Sequence, residues 1–276
     1  MLIDQENLDS NLGNFKSIYG SSTPFPSIYI DQFLTPTAIS RVQKEFPTVS
    51  DNVWTHYIHY NERKHGLTKF DYFPLSVKEL VTEMSQPKFI SWLENLTGIP
   101  NLFADPNLEG SGLHQTLKGG FLNIHADFTV HPLKSNWQRR VNVLVYLNEN
   151  WNSDWGGNLE LWNENMTQCE QSISPMLNRA AIFSTGTNTY HGYPHPLSCP
   201  ENESRKSIAM YFYTEESSFK KMATDYKSRP EDGGKKWLIK LDNILISVYS
   251  KIKGAFGLND DLISAILQKF NKNSDG

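Results

Sequence analysis

Gly119-Gly120-Phe121-Leu122-Asn123-Ile124-His125-Ala126-Asp127 is the stretch on which the fold turns. Taken as a strand, it places His125 and Asp127, two residues apart, on one face. Outward from it, between Leu113 and Tyr213, short apolar runs alternate with Gly, Asn, Pro and Ser turns, which predicts an antiparallel sandwich or barrel. Within that span Arg140-Val-Asn-Val-Leu-Val-Tyr-Leu-Asn148 divides by parity. Asn142, Leu144 and Tyr146 share one face, and Val141, Val143 and Val145 share the other, as expected of a strand that lines a polar pocket and is backed by a core. Ala180-Ala181-Ile182-Phe183 reads as a buried strand.

The polar residues on this framework carry a chemistry. Two histidines and a carboxylate on one side of a borderline cation leave the opposite side open, the facial triad of non-haem Fe(II) sites. His125 and Asp127 supply two ligands, and His191, far down the chain, supplies the third. Arg205 opens a strand-like run through Tyr213, on which Arg205, Ser207, Ala209, Tyr211 and Tyr213 share a face by period two. A lone Arg there needs an anion, and its planar fork suits a carboxylate. The Ser207 hydroxyl can add a donor.

These residues, with Trp155-Gly-Gly-Asn-Leu-Glu-Leu-Trp162, Asn178-Arg-Ala-Ala-Ile-Phe183 and Tyr190-His191-Gly192, resemble the Fe(II)- and 2-oxoglutarate-dependent dioxygenases, in the prolyl 4-hydroxylase-like branch, over about 112–214. The resemblance implies a mainly β fold with flanking helices: a double-stranded β-helix, or jelly-roll, with iron inside one open end. It implies that His125, Asp127 and His191 ligate iron and that Arg205 binds the distal carboxylate of 2-oxoglutarate, with Ser207, Tyr146 and Asn142 lining the same pocket. The cofactors implied are Fe(II), with 2-oxoglutarate and O2 as co-substrates, and the reaction is hydroxylation of a C–H bond with release of succinate and CO2. An aspartate at position 127 argues for hydroxylation over halogenation. The substrate suggested is a prolyl residue in a peptide or protein; a free amino acid, sugar or other small metabolite is the rival. A longer gap than usual between His191 and Arg205, filled by His195-Pro-Leu-Ser-Cys-Pro200, leaves Arg179 and Lys206 as lesser candidates for the carboxylate. The insert itself is a candidate substrate-facing loop.

The remaining sequence sets bounds. A chain of 276 residues with net charge −4 points to one packed domain with appendages and away from nucleic acid. A basic, apolar leader and membrane-length apolar runs are not seen, and Cys169 and Cys199 read as free thiols, so the expectation is a cytoplasmic enzyme. Residues 1–24 read as a loose lead-in, 25–215 as the oxygenase domain, and 216–276 as a linker followed by helices. A first strand is expected at Ser27–Leu34, a helix at Thr37–Phe46, and two helices across Ser76–Leu96 broken near Gln86-Pro87, forming a support layer for the sheet. Trp237, Leu241, Ile244, Val248 and Ile252 fall at helical spacing, and a second helix is expected at Asp260–Phe270. These helices are expected to dock on the core, with a dimer or partner contact as the alternative. Trp54 to Tyr72, carrying His56, His59 and His65, is read as a loop over the pocket; His114 is a pocket candidate, and His131 and His195 are read as loop residues. Trp137, Trp151 and Trp155 are expected near the pocket mouth. Two alternatives from other classes are a jelly-roll that binds metal or ligand without turnover, and a scaffold whose C-terminal helices recruit a partner.

Overall fold

The computed structural model describes residues 1–49, 53–217 and 222–244. Its elements in chain order begin with α1 (Gln5–Ser21), β1 (Ser27–Ile30), α2 (Pro36–Glu45), β2 (Thr55–His59), β3 (Glu62–Leu67), α3 (Leu75–Met84) and α4 (Pro87–Thr97). They continue with β4 (Phe103–Ala104), β5 (Gly112–Thr116), β6 (Phe121–Ala126), β7 (Trp137–Tyr146), β8 (Leu159–Trp162), β9 (Cys169–Ile173), β10 (Ala180–Ser184), β11 (Tyr190–Tyr193), β12 (Arg205–Glu215) and β13 (Asp225–Tyr226). A helix occupies 236–244.

The strands run in the order β1-β10-β7-β12-β5-β3-β6-β11-β8-β9, with β2 added on β3, β4 on β12 and β13 on β6. The sheet curls into a nearly closed, jelly-roll-like barrel. The parity expected of Arg140–Asn148 is what builds it. Val141, Val143 and Val145 are fully buried and join Ile208, Met210 and Phe212 of β12 in a core against α3 and α4, which contribute Leu80, Trp92 and Leu93. Asn142, Leu144 and Tyr146 face the barrel interior, where Leu144 and Tyr146 pack with Leu159, Leu161 and Phe183. The α3–α4 break falls at Gln86, because Pro87 has no N–H to extend α3 and suits the first turn of α4.

Three sequence expectations need correction. Residues 1–24 are not a loose lead-in: 5–21 form α1, capped by the Asp4 carboxylate on the amide of Asn7. Gly13, Gly20 and the serines hide a helical stripe, Leu8, Leu12, Phe15 and Tyr19, that packs on the helical core. The Trp92 indole donates to the Leu8 carbonyl, and Tyr19 bonds Ser184 of β10. The polar stretch Ser217–Lys236, read as a linker, carries β13, which pairs with β6. The helix at 236–244 docks through Ile239, Asp242 and Asn243, whereas Trp237, Leu241 and Ile244, the stripe expected to face the core, are exposed. Val248, Ile252 and the expected helix at Asp260–Phe270 lie outside the described residues. The described part of the C-terminal segment packs on its own barrel and gives no support to the dimer contact. Among the described residues no helix is long and apolar enough to cross a membrane.

Candidate active site

Antiparallel pairing of β11 with β6 sets His191 directly opposite His125, so a residue 66 positions away becomes a cross-strand neighbour. Asp127 follows immediately after the end of β6 rather than lying within the strand. His125 Nε2 stands 3.6 Å from Asp127 Oδ1, and His191 Nε2 stands 3.4 Å from Asp127 Oδ2. One ligand atom from each of the three lies within 4.8 Å of the others, and this is the only such group of three among the described residues. Ligand atoms at roughly 2.0–2.2 Å from one ion stand about 3 Å apart, so a small closure suffices.

The histidines are pre-set for ligation. His125 Nδ1 donates to the Asn123 carbonyl at 2.9 Å and His191 Nδ1 to the Thr189 carbonyl at 3.0 Å. A carbonyl only accepts, so the proton sits on Nδ1 and each Nε2 presents its lone pair. Burial, with His125 and Arg139 nearby, pulls His191 down to about 4 despite Asp127, so its ring is neutral at neutral pH. Burial opposes the Asp127 charge, but the Arg139 guanidinium beside it holds its carboxyl well below the usual range. Donor type, tautomer and protonation all fit a first-row divalent ion.

Arg139 was not foreseen. Its Nη2 lies 3.0 Å from Asp127 Oδ2, and its Nε donates to Asn142 Oδ1 at 2.9 Å. Asn142 Nδ2 in turn donates to Asp127 Oδ2 at 2.8 Å. Asn142, expected to contact the co-substrate, is instead committed at both ends, to Arg139 and to the Asp127 carboxylate. Parity assigns Arg139 to the valine face of β7. A bulge overturns this: Phe212 pairs with Val141 but Tyr213 pairs with Arg139, so Arg140 is the extra residue and Arg139 swings inward. A similar shift in β6, between the His191–His125 and Tyr193–Leu122 pairs, lets Leu122 and His125 line one pocket.

In the same pocket as the triad stand Arg205 and Ser207 at the start of β12. Arg205 is buried, and its hydrogen-bond partners are neutral: Nε donates to the Gly157 carbonyl at 2.7 Å and Nη2 to the Tyr146 hydroxyl at 3.3 Å. Its guanidinium also lies over the rings of Tyr193 and Tyr146. Among the described residues no carboxylate pairs with it. Gly157 has no room for a side chain: with φ +78, an added Cβ would stand 2.8 Å from Leu197 Cδ2 and 3.1 Å from Arg205 Cδ. The lesser candidates face elsewhere, Arg179 pairing with Asp31 and Lys206 reaching over Phe46.

The other flagged residues divide. His114 lines the pocket, and burial with Lys64 close by lowers it to about 3, so it is neutral. The Trp54–Tyr72 stretch forms the β2–β3 hairpin and contributes Lys64 to the wall, ion-paired to Glu62. His56 and His65 face each other, Nδ1 to Nδ1, at 2.9 Å. His131 lies in a loop, as read, and is buried there against Asp105. The tryptophans do not gather: Trp151 and Trp155 pack together, whereas Trp137 packs on Phe103 and His131. Leu197 and Cys199 of the Pro-rich insert are buried with Trp151, so these residues form a plug behind Gly157.

The sequence pattern of the 2OG-Fe(II) oxygenase superfamily matches residues 111–213, the span that holds every residue of this pocket except Lys64. Over those residues the chain is similar to that superfamily. Its members are dioxygenases that work with Fe(II), 2-oxoglutarate and O2, and the His-Asp-His group of this oxygenase fits the iron. The fold is shared with solved prolyl hydroxylases. One from Trichoplax adhaerens, in complex with a hypoxia inducible factor oxygen degradation domain peptide, superposes with a TM-score of 0.52 at 18% identity over 76% of this chain and 93% of its own. The Pseudomonas putida prolyl-4-hydroxylase gives 0.51 at 13% identity over 73% and 99%. Prolyl 4-hydroxylase from Phytophthora capsici gives 0.51 at 16% over 99% and 88%. No curated protein matches the oxygenase.

Proposed function

We propose that this oxygenase hydroxylates a C–H bond of a prolyl residue in a peptide or protein, with His125, Asp127 and His191 holding Fe(II) and Arg205, Tyr146 and Ser207 receiving 2-oxoglutarate. The observation that carries the co-substrate assignment is Arg205, a buried cation that has only neutral partners and lines the same pocket as the triad. A buried charge is costly unless paired, and a dicarboxylate reaching from the metal to Arg205 supplies the anion. The prolyl assignment draws on likeness of fold to the prolyl hydroxylases.

Bound iron supplies the oxygen activation and radical chemistry. The chain's part is to place and protect. Arg139 and Asn142 orient the Asp127 carboxylate, the carbonyls of Asn123 and Thr189 fix the imidazoles, and Arg205 with Tyr146 anchors the far end of the co-substrate. Leu144, Leu159 and Phe183 keep the intervening wall apolar. A reducing cytoplasm suits Fe(II) and the free thiols of Cys169 and Cys199.

The test is to supply Fe(II), 2-oxoglutarate and air with proline-containing peptides, and to follow succinate together with the peptide mass. The expected result is succinate released in step with the gain of one oxygen atom on proline. Oxygen gained at another residue would remove the prolyl assignment. An absence of 2-oxoglutarate turnover from folded, iron-loaded protein would remove the enzyme.

A further inference from the structure

Two of the three residues that would hold the metal stand in the middle of a column of rings. Phe183 of β10 packs on His191 with centroids 4.7 Å apart, His191 on His125 at 4.6 Å, His125 on Tyr226 at 5.2 Å, and Tyr226 on His59 at 6.0 Å. Tyr226 comes from beyond the superfamily match, in a stretch whose polar composition suggests only a linker. It is buried, and strand pairing sets it against His125 itself, with Asp225 opposite Ala126 and the Lys227 amide donating to the Ile124 carbonyl at 2.8 Å. Asn243, on the helix that follows, closes over both backbone groups of Tyr226. Its Oδ1 accepts from the Tyr226 amide at 3.0 Å, and its Nδ2 donates to the Tyr226 carbonyl at 2.7 Å.

A second route leads from the same helix to the same histidine. Asp242 Oδ2 accepts from Asn61 Nδ2 at 2.6 Å, and also bonds His59 Nδ1 at 2.8 Å. Asn61 Oδ1 accepts from Asn123 Nδ2 at 2.9 Å, and the Asn61 carbonyl accepts from the Asn123 amide at 2.8 Å. The Asn123 carbonyl is the group that fixes His125 Nδ1. One contact by ring and one chain of hydrogen bonds therefore converge on His125. His191 is oriented by Thr189, with Gly186 behind it, and segment 222–244 comes near it through Lys227, which lies over the ring of the neighbouring Tyr190 and not on His191 or Thr189.

We propose that segment 222–244 is a positioning element for the metal site, acting on His125 through Tyr226 and through the chain Asp242–Asn61–Asn123. It rests on the assignment of His125, Asp127 and His191 as ligands. Tyr226 and Asp242 are positioning residues: neither offers an atom to the metal, and both restrict where the His125 lone pair can point. Partners behind a ligand typically change metal affinity by 10–100-fold.

The experiment is Co(II) titration of the full chain, followed by visible absorption. Wild type is expected to bind, and His125→Ala and His191→Ala to lose most of that affinity. Tyr226→Ala is expected to weaken binding about tenfold and Tyr226→Phe, which keeps the ring, to change it little. Asp242→Ala, which removes nothing from the apolar core, is expected to weaken it severalfold and serves if Tyr226→Ala does not fold. The decisive comparison is between backgrounds: Tyr226→Ala should still weaken binding in His191→Ala but add no loss in His125→Ala. Wild-type affinity in both Tyr226→Ala and Asp242→Ala, or an equal further loss in both backgrounds, would overturn the proposal and leave the ligand set standing. A wild-type chain that does not take Co(II) would overturn both.

Discussion

Asp127 is the residue around which the site is organised. A carboxylate with little exposure must be matched in charge and filled in its hydrogen-bonding capacity, and Arg139 and Asn142 do both on the oxygen shared with His191. Removing one partner of a buried ion pair costs about 3–5 kcal/mol because the other charge is stranded. Arg139→Met should therefore destabilise the metal-free protein by about that amount in denaturant titration, and added divalent metal should recover part of the loss by supplying positive charge. An Arg139→Met protein as stable as wild type would show that the pair is not what keeps Asp127 ionised. At the other end of the pocket, Arg205→Ala should weaken 2-oxoglutarate binding far more than metal binding, since charge-assisted hydrogen bonds contribute about 1.5–3 kcal/mol each. Equal co-substrate affinity in calorimetry would move the carboxylate elsewhere. The grouping of His125, Asp127 and His191, and the inward Arg205, were legible because each is a polar residue on or just beyond an apolar strand. Arg139 was not: parity places it on the wrong face, and only the bulge at Arg140 corrects the count.

At the scale of elements, alternation and proline position gave β12, α2 and the α3–α4 pair to within a residue or two, and β7 to within three. Alternation could not give α1, whose glycines and serines mask its stripe, or β13, two residues long and polar on both sides. Short edge strands of this kind are held by their partners, and nothing local in Asp225-Tyr226 announces them. The Gly157 turn couples two elements, because its carbonyl takes Arg205 Nε and its missing side chain admits Leu197. Gly157→Ala should both strain a left-handed backbone and displace Arg205, lowering thermal stability and 2-oxoglutarate affinity together. Loss of stability with unchanged affinity would separate the turn from the site. The bond between the β2–β3 hairpin and helix 236–244 should depend on pH. Burial disfavours a charged His59, but Glu62 and Asp242 on either side overcome this and raise it from 6.5 to about 9. The folded form thus binds the proton more tightly than the unfolded one, so this stabilisation is fully present below 6.5 and is lost as pH rises through about 9. Hydrogen exchange of the 236–244 amides, corrected for its intrinsic rate, should speed up across that range in wild type and not in His59→Gln. A flat wild-type profile would show that His59 does not titrate there.

Across the whole molecule, one sheet serves two purposes. The face of β7 and β12 that carries Val141, Val143, Val145, Ile208, Met210 and Phe212 is fixed by the helices, and the opposite face is thereby held rigid enough to present polar groups in a pocket. An antiparallel sandwich or barrel was legible from repeated short strands and turn residues, and the jelly-roll only through the family resemblance. The closure of the site was not, because it depends on which distant segments meet: β11 on β6, β13 on β6, and the β2–β3 hairpin between β5 and β6. The central claim is that this pocket binds Fe(II) and 2-oxoglutarate together. An anaerobic titration of the apoprotein with Fe(II) and 2-oxoglutarate, watched for the visible charge-transfer band of the chelate, tests it most directly. The band should require both components, vanish in His125→Ala, and need a much higher 2-oxoglutarate concentration in Arg205→Ala. A folded wild-type protein that gives no band, or a band that survives His125→Ala unchanged, would contradict it.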